Sequence, residues 1–213
     1  MTDAYHETRL PPDPKREIVW QALWRYFFRP LVAPEACVLD LGAGYGSFIN
    51  QVEARRRIAV DSWPGMAAHL RPGIEAVIGD VAELGFLADR SIDFAFASNV
   101  FEHLPQPKLL ALLAALKPKL ASTGTLTILQ PNYRYAYREY FDDYTHVAVY
   151  SHISLADLLS AAGFEVFDVR PRFLPLTVKS RLPVSPLLIR AYLASPIKPM
   201  GGQMLLRARP AAP

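Results

Sequence analysis

Apolar residues recur along this chain in short runs, each ended by an acid, an amide or a glycine, with longer-period stretches between them. Val38-Leu39 with Leu41, then 57–61, 76–78, 91–99 and 125–129, read as strands: they are short, and several are rich in β-branched and aromatic residues. The run 91–99 is apolar at nearly every position, as a parallel strand covered on both faces requires. Helical spacing covers 15–28, with Ile18, Val19, Ala22, Leu23, Tyr26 and Phe27 on one face, and 108–116, which Pro107 precedes and Pro118 stops. Residues 47–52 can start a further helix. Ser154-Leu155-Ala156-Asp157 outlines a capping box for one that Gly163 ends. Residues 164–169 and 202–208 predict a closing pair of strands. Strands alternating with helices at this length predict one α/β domain. Residues 1–36 form a helical lead-in, and 37–213 the domain proper, with a basic apolar insertion at 171–200.

The first strand runs into Asp40-Leu41-Gly42-Ala43-Gly44-Tyr45-Gly46-Ser47. A strand, a turn with glycine at alternate positions and a helix start make a nucleotide-binding βα unit, because glycine lets backbone turn sharply and approach a ligand. Asp61 ends the second strand about twenty residues on, the offset at which an acid in such folds accepts hydrogen bonds from both ribose hydroxyls. The dinucleotide fingerprint G-x-G-x-x-G places glycine where this chain has Ser47. No Tyr-x-x-x-Lys pair is evident either, which further disfavours a nicotinamide-dependent reductase. An ordinary glycine-rich turn is the plainest alternative.

With its acid two residues ahead of the first glycine, D-x-G-x-G-x-G resembles motif I of the class I S-adenosyl-L-methionine (SAM)-dependent methyltransferases. Gly79-Asp80, followed by Leu84 and Phe86, resembles the G-D-x-x-x-L-x-F signature of the same superfamily. Ser98-Asn99-Val100-Phe101-Glu102-His103-Leu104 resembles the S-x-x-x-E-H-L stretch of its small-molecule groups of type 11 and type 23. The resemblance implies a three-layer, Rossmann-like, seven-stranded sheet in the order 3-2-1-4-5-7-6 with the last strand antiparallel, and SAM as cofactor. It implies that Asp40, Gly42, Ala43, Gly44, Tyr45 and Gly46 pass under the methionine and ribose parts of SAM, with Asp61 and Ser62 at the ribose. It further implies that Asp80 receives the adenine amino group while the Val81 N–H meets a ring nitrogen. By the same likeness Asn99 and Val100 border the cofactor, and His103 faces the site. The family's Leu-x-Pro-Gly-Gly before the fifth strand is here Leu120-Ala121-Ser122-Thr123-Gly124, a departure that alters only a turn.

Residues 130–150 follow a strand's carboxyl end, the ligand face of an open α/β sheet. They hold Tyr133, Tyr135, Tyr137, Tyr140, Tyr144 and Tyr150, interleaved with Arg134, Arg138, Asp142, Asp143 and His146. So aromatic and polar a loop predicts a site wall, the alternative being a lid packed by its own rings. His146, with carboxylates close enough in sequence to orient an imidazole, is the first choice for the general base, and His103 the second. For His103 a catalytic and an orienting role weigh equally. His152 can pair with His146 on a metal, but no third ligand is evident, so no metal is expected.

Composition narrows the class. Hydrophobic content of 51% and charged content of 20% suit a soluble globular enzyme and argue against disorder. The single cysteine, Cys37, excludes an internal disulfide and a thiol metal cluster. The opening residues lack a signal-peptide pattern and the most apolar run, 109–116, is too short to span a bilayer, so a cytoplasmic address is expected. A net charge of +3 gives no reason to expect a nucleic-acid partner. From Val169 onward, however, the chain has no acid and eight cations, which leaves the remainder at −5. The insertion therefore reads as a cleft lid, a dimer contact or a skirt making peripheral contact with an anionic membrane. The function expected is methyl transfer from SAM to an oxygen or nitrogen of a small molecule, with an anionic or a lipid- or saccharide-linked acceptor as narrower versions. A non-catalytic SAM-binding regulator or scaffold is the alternative, with an NAD(P)-dependent reductase behind it. Oligomeric state is not written in the sequence.

Overall fold

The computed structural model describes residues 13–176 and 184–212. The polar opening residues, and Lys179 and Arg181 of the insertion, lie outside the described residues. Strand β1 (Cys37–Leu41) is buried at every position and sits parallel between β2 (Arg56–Asp61) and β4 (Ile92–Ser98). Beyond them, β3 (Glu75–Ile78) pairs with β2 and β5 (Leu120–Pro131) with β4, also parallel. The chain closes with β6 (Phe164–Pro175) and β7 (Gly201–Pro210), the latter inserted antiparallel between β5 and β6. The order is β3-β2-β1-β4-β5-β7-β6, the expected seven-stranded Rossmann-like sheet.

Helices α1 (Pro14–Leu23), α2 (Gln106–Leu116), α3 (Tyr133–Ala136), α4 (His152–Ala161) and α5 (Pro186–Ala194) flank the sheet or its upper edge. The two-residue alternation of the strands separates two cores. Leu39, Leu41, Ala95 and Ala97 point to the layer of Leu109, Leu113, Leu155 and Leu159 on α2 and α4. Val38, Phe94 and Phe96 point the other way, to Leu23, Trp24, Phe28 and Phe48, with Ile189 and Leu193 of α5 packed outside. Phe96 meets Phe48 at 4.0 Å and Phe28 at 5.2 Å between ring centres, so this second core is largely aromatic.

The lead-in helix forms where the spacing predicts it. The Asp13 carboxylate accepts from the Lys15 N–H at 2.9 Å, and Pro14 supplies a first residue that needs no hydrogen-bond acceptor. Its second half departs from expectation. A π-helical turn at Trp24–Phe28 adds a residue to the winding, so the buried face passes from Leu23 to Phe28, five residues on, and Tyr26 and Phe27 are left half-exposed. Expected burial holds at Ala22 and Leu23 and slips beyond them.

The helix expected at 47–52 does not form; the chain makes one 3₁₀ turn, Ile49–Gln51. Gly42, Gly44 and Gly46 all adopt positive φ, at 70°, 51° and 66°, so right-handed winding cannot begin before Ser47, and Val52 is already extended. Helix α4 begins earlier than its expected start because Ser151 is the cap. Its hydroxyl accepts from the Ser154 N–H at 3.1 Å, and the Ser154 hydroxyl accepts from the Ser151 N–H at 2.9 Å. Strand β6 runs through Pro175, drawn on by Phe173, which is buried against Phe27 at 4.6 Å. The first residues assigned to the insertion are therefore sheet. Among the described residues no helix is long and apolar enough to cross a membrane.

Candidate active site

The carboxyl ends of β1, β2 and β4, with the turns that leave them, enclose a cavity of about 320 Å³, at the lower end of the range for small-molecule sites, roughly 300–1,000 Å³. Asp40, Gly42, Ala43, Gly44, Tyr45, Asp61, Ser62, Asp80, Val81, Asn99, Val100 and His103 all line it. Gly46 does not; a side chain there would run into Leu70 and Asn50. His146 stands outside the lining, behind His103, with ring centres 4.9 Å apart.

The glycine turn is fixed by the strand beside it. The Gly42 and Ala43 N–H groups donate to the Val60 carbonyl at 2.8 and 3.2 Å. The Gly44 N–H donates to Asp61 Oδ2 at 2.8 Å, and the Trp63 N–H donates to Oδ1 at 2.9 Å. Asp61 thus braces the turn, and each of its oxygens retains a second lone pair for a hydroxyl. At Gly42 a Cβ would lie 2.5 Å from a Val100 methyl, so only glycine leaves this corner open. Asn99 puts Val100 there by adopting a left-handed φ of 53°, which an amide side chain tolerates better than most.

Two further acids line the cavity. Asp40 is 3% exposed, and burial pushes its carboxyl well above the usual range, with the Asp61 charge adding to the effect. For Asp80, burial alone would raise the pKa, but Lys108 Nζ at 2.5 Å and the Ala82 N–H at 3.0 Å outweigh it and hold the group below its ordinary value.

Lys108, together with Arg16 and Trp20 of α1, belongs to the cavity wall and was not marked by the sequence. A signal existed for each. Arg16 and Trp20 are four apart and share a helix face, and a lysine in the first turn of a helix opposes the helix dipole and calls for an acid. Arg25, by contrast, lies over the Tyr26 ring at 5.5 Å, a packing contact.

His103, on the cavity wall, belongs to a cluster of imidazoles and acids. His103 Nδ1 donates to the Thr145 carbonyl at 3.2 Å and is 3.0 Å from the Thr145 hydroxyl. That hydroxyl donates to Asp143 Oδ1 at 2.6 Å, so it can only accept from the ring, and His103 carries its proton on Nδ1. Burial, with His146 beside it, lowers the His103 pKa to about 4, so the ring is neutral at physiological pH. His146 donates from Nδ1 to the Tyr140 carbonyl at 2.5 Å. Glu102 is wholly buried, and burial with the nearby Asp143 raises it to about 8. His152 is not part of the group: it bonds Asn132 at 3.0 Å and stacks on Tyr135.

No residue of 130–150 lines the cavity. Its rings pack on one another, Tyr140 against Tyr133 at 5.2 Å and against His146 at 4.6 Å, and the buried Tyr140 hydroxyl donates to the Ala148 carbonyl. The segment expected as a wall is a buttress that holds Thr145 and His146 against His103.

The model of the type 23 methyltransferase domain matches residues 13–169. The chain belongs to this methyltransferase family. Among solved structures, a SAM-dependent methyltransferase from Archaeoglobus fulgidus is 25% identical, with a TM-score of 0.68 over 96% of this chain and 97% of that one. A possible histamine N-methyltransferase from Thermotoga maritima is 20% identical, with a TM-score of 0.64 over 97% and 93%. Geranyl diphosphate C-methyltransferase from Streptomyces coelicolor, solved with Mg²⁺, geranyl diphosphate and S-adenosylhomocysteine (SAH), is 10% identical, with a TM-score of 0.61 over 84% and 72%. No curated protein matches the chain.

The methyltransferase is a SAM-dependent enzyme, and its cavity fits that cofactor on its own chemistry. Asp61 lines it beside the glycine turn, a carboxylate that accepts from hydroxyls and offers a pyrophosphate no donor. The single 3₁₀ turn after Gly46 offers no helix dipole for phosphate. SAM, when bound, supplies a methyl group already activated by its sulfonium.

Because the folded state favours protonated Asp40, that preference adds stability below the ordinary aspartate pKa and is lost as pH rises through the raised one. Asp40→Asn removes the cost of charging it and keeps an oxygen acceptor. Thermal melts should show the variant more stable than wild type by a few degrees near pH 8, with the gain vanishing towards pH 4. An equal shift at both pH values would refute this account.

Proposed function

We propose that this methyltransferase moves the methyl group of SAM to an oxygen or nitrogen of a small molecule, with the reacting atom held at the His103 end of the cavity. The observation that carries the reading is the His103 ring: neutral, fixed as the Nδ1–H tautomer by Thr145, and on the wall of the same cavity as the glycine turn. Asp40, the Gly42–Gly46 turn and Tyr45 would hold the methionine and ribose parts. Asp61 and Ser62 would meet the ribose hydroxyls, and Asp80 and Val81 the adenine. Asn99 and Val100 would border the adenosyl group. With an activated donor, the chain's work is alignment and exclusion of water. His103, with His146 behind it, would deal with the acceptor's proton, an effect typically worth about two to four orders of magnitude.

The narrower acceptor, anionic or lipid- or saccharide-linked, is supported by the C-terminal part of the chain. Helix α5 turns Ile189 and Leu193 inward and leaves Leu187 and Leu188 exposed, with Arg190 over the Tyr26 ring at 5.6 Å. The face is apolar and cationic, suited to peripheral contact with an anionic membrane surface.

Calorimetry with SAM, SAH and NADPH, followed by transfer of labelled methyl from SAM into fractionated metabolites, tests the reading. Heat with SAM and SAH but not NADPH, and label in an O- or N-methyl product, is the expected outcome. Binding without transfer to any fraction would favour a SAM-binding regulator or scaffold; heat with NADPH alone would favour a reductase.

A further inference from the structure

We propose that Glu102, His103 and His146 hold a divalent transition-metal cation, Zn²⁺ or one of its chemical neighbours, at the acceptor end of the cavity. The inference rests on the reading of that end as the acceptor's and specifies how the imidazoles serve it.

The starting point is Glu102. Its side chain is fully buried, and among the described residues neither carboxylate oxygen has a hydrogen-bond partner. A buried polar group without a partner is costly, and folded proteins retain few of them without a reason. Its surroundings are built rather than accidental. The Glu102 carbonyl accepts from the Val147 and Ala148 N–H groups at 2.9 and 3.1 Å, and this clamps the His146 loop onto the residue next to His103. One ligand atom from each of Glu102, His103 and His146 then lies within 4.8 Å of the others.

The imidazoles hold the tautomer that metal ligands adopt. Both donate from Nδ1 to a backbone carbonyl, which makes Nε2 the lone-pair nitrogen of each ring. Such a bond fixes the tautomer and orientation of a ligating ring, and carboxylates often stand behind it. Here Thr145 links His103 to the Asp143 carboxylate. Two imidazoles and one carboxylate form the three-ligand set of a catalytic zinc centre, whose fourth position takes water or substrate. Ligand bonds near 2.1 Å place such atoms about 3.4 Å apart, so the cluster would draw in by roughly 1 Å. Of the three, His103 lines the cavity, and an open fourth position would take the acceptor from that side.

A cation there supplies Lewis acidity to an acceptor oxygen and lowers the pKa of a hydroxyl, whose proton leaves to solvent as the new O–CH₃ bond forms and the S–CH₃ bond breaks. His103 and His146 then act as ligands rather than as bases, and a hydroxyl acceptor is favoured over an amine.

The test uses the full chain freed of metal by chelator and dialysed. Titration with Co²⁺, read by its visible d–d absorption, and metal analysis after dialysis against Zn²⁺ should both give one equivalent per chain. Glu102→Gln preserves the shape of the buried side chain and should bind at least about 100-fold more weakly; Thr145→Val, which cuts the link to Asp143, should lose about tenfold. His146→Gln, in the outer loop, repeats the test should Glu102→Gln fail to fold. Sub-stoichiometric binding, or equal binding by wild type and the folded ligand variants, would overturn the proposal. Calorimetry with SAH on the same samples reads the cofactor site separately, so failure there is distinguishable from failure of the metal site.

Discussion

Asp61→Ala should weaken SAH binding by about 100-fold or more and lower the melting temperature by roughly 5–10 °C. Both effects come from the same two oxygens. In the wild type they accept from the Gly44 and Trp63 N–H groups, at 2.8 and 2.9 Å in a buried setting. A hydrogen bond to a charged partner contributes about 1.5–3 kcal/mol, and removing the acceptor leaves two buried donors unpaired. For a chain of this size about 1 kcal/mol moves the melting temperature by roughly 2–4 °C. The affinity loss adds the ribose contact proposed for Asp61 to a glycine turn that is no longer braced. Asp61→Asn should fall between alanine and wild type, because the amide keeps one acceptor but turns its NH₂ towards the other N–H. Calorimetry with SAH and a thermal melt on the same preparation measure both effects. Affinity within threefold of wild type in the alanine variant would remove Asp61 from the cofactor site.

Local signals made much of the cavity wall legible. The alternate glycines, the acid ending the second strand and the Gly79-Asp80 turn each depend on residues close in sequence, and the strand order follows once the chain is placed in its superfamily. What the sequence could not convey depends on tertiary packing. No local pattern announced the π-helical turn at Trp24–Phe28, which the aromatic core around Phe48 and Phe96 accommodates, and so the burial of Phe28 in place of Phe27 was missed. Arg16 and Trp20 reach the cavity from α1, whose Leu23 packs in one core with Phe48 just past the glycine turn. Composition marked 130–150 as unusual, but it cannot tell rings that line a cavity from rings that fill one; Tyr140, fully buried under Tyr133 and Phe141, decides for the second. Glu102 was visible only as a letter in an E-H-L pattern. Its meaning depends on burial, and on His146, 44 positions away, folding back beside it.

His103→Gln should retain SAH affinity within about threefold and lose about two to four orders of magnitude in kcat/KM. The ring is held by Thr145 while the glycine turn is braced by Asp61, so its replacement leaves the bracing of that turn in place. Glutamine keeps much of the volume and can still donate to Thr145, which separates loss of chemistry from loss of packing. His146→Ala should fall by a similar order although it does not line the cavity, because its ring lies 4.9 Å from His103 and, in the function proposed above, the two serve the acceptor as a unit. The alternative, in which His103 alone takes the proton and His146 only packs, predicts a much smaller effect of His146→Ala on turnover. Single-turnover rates with saturating SAM distinguish these outcomes without interference from product release. Wild-type rates in both variants would show that the acceptor's proton is handled elsewhere in the cleft, and the methyl acceptor would then have to be placed away from the Glu102-His103 corner.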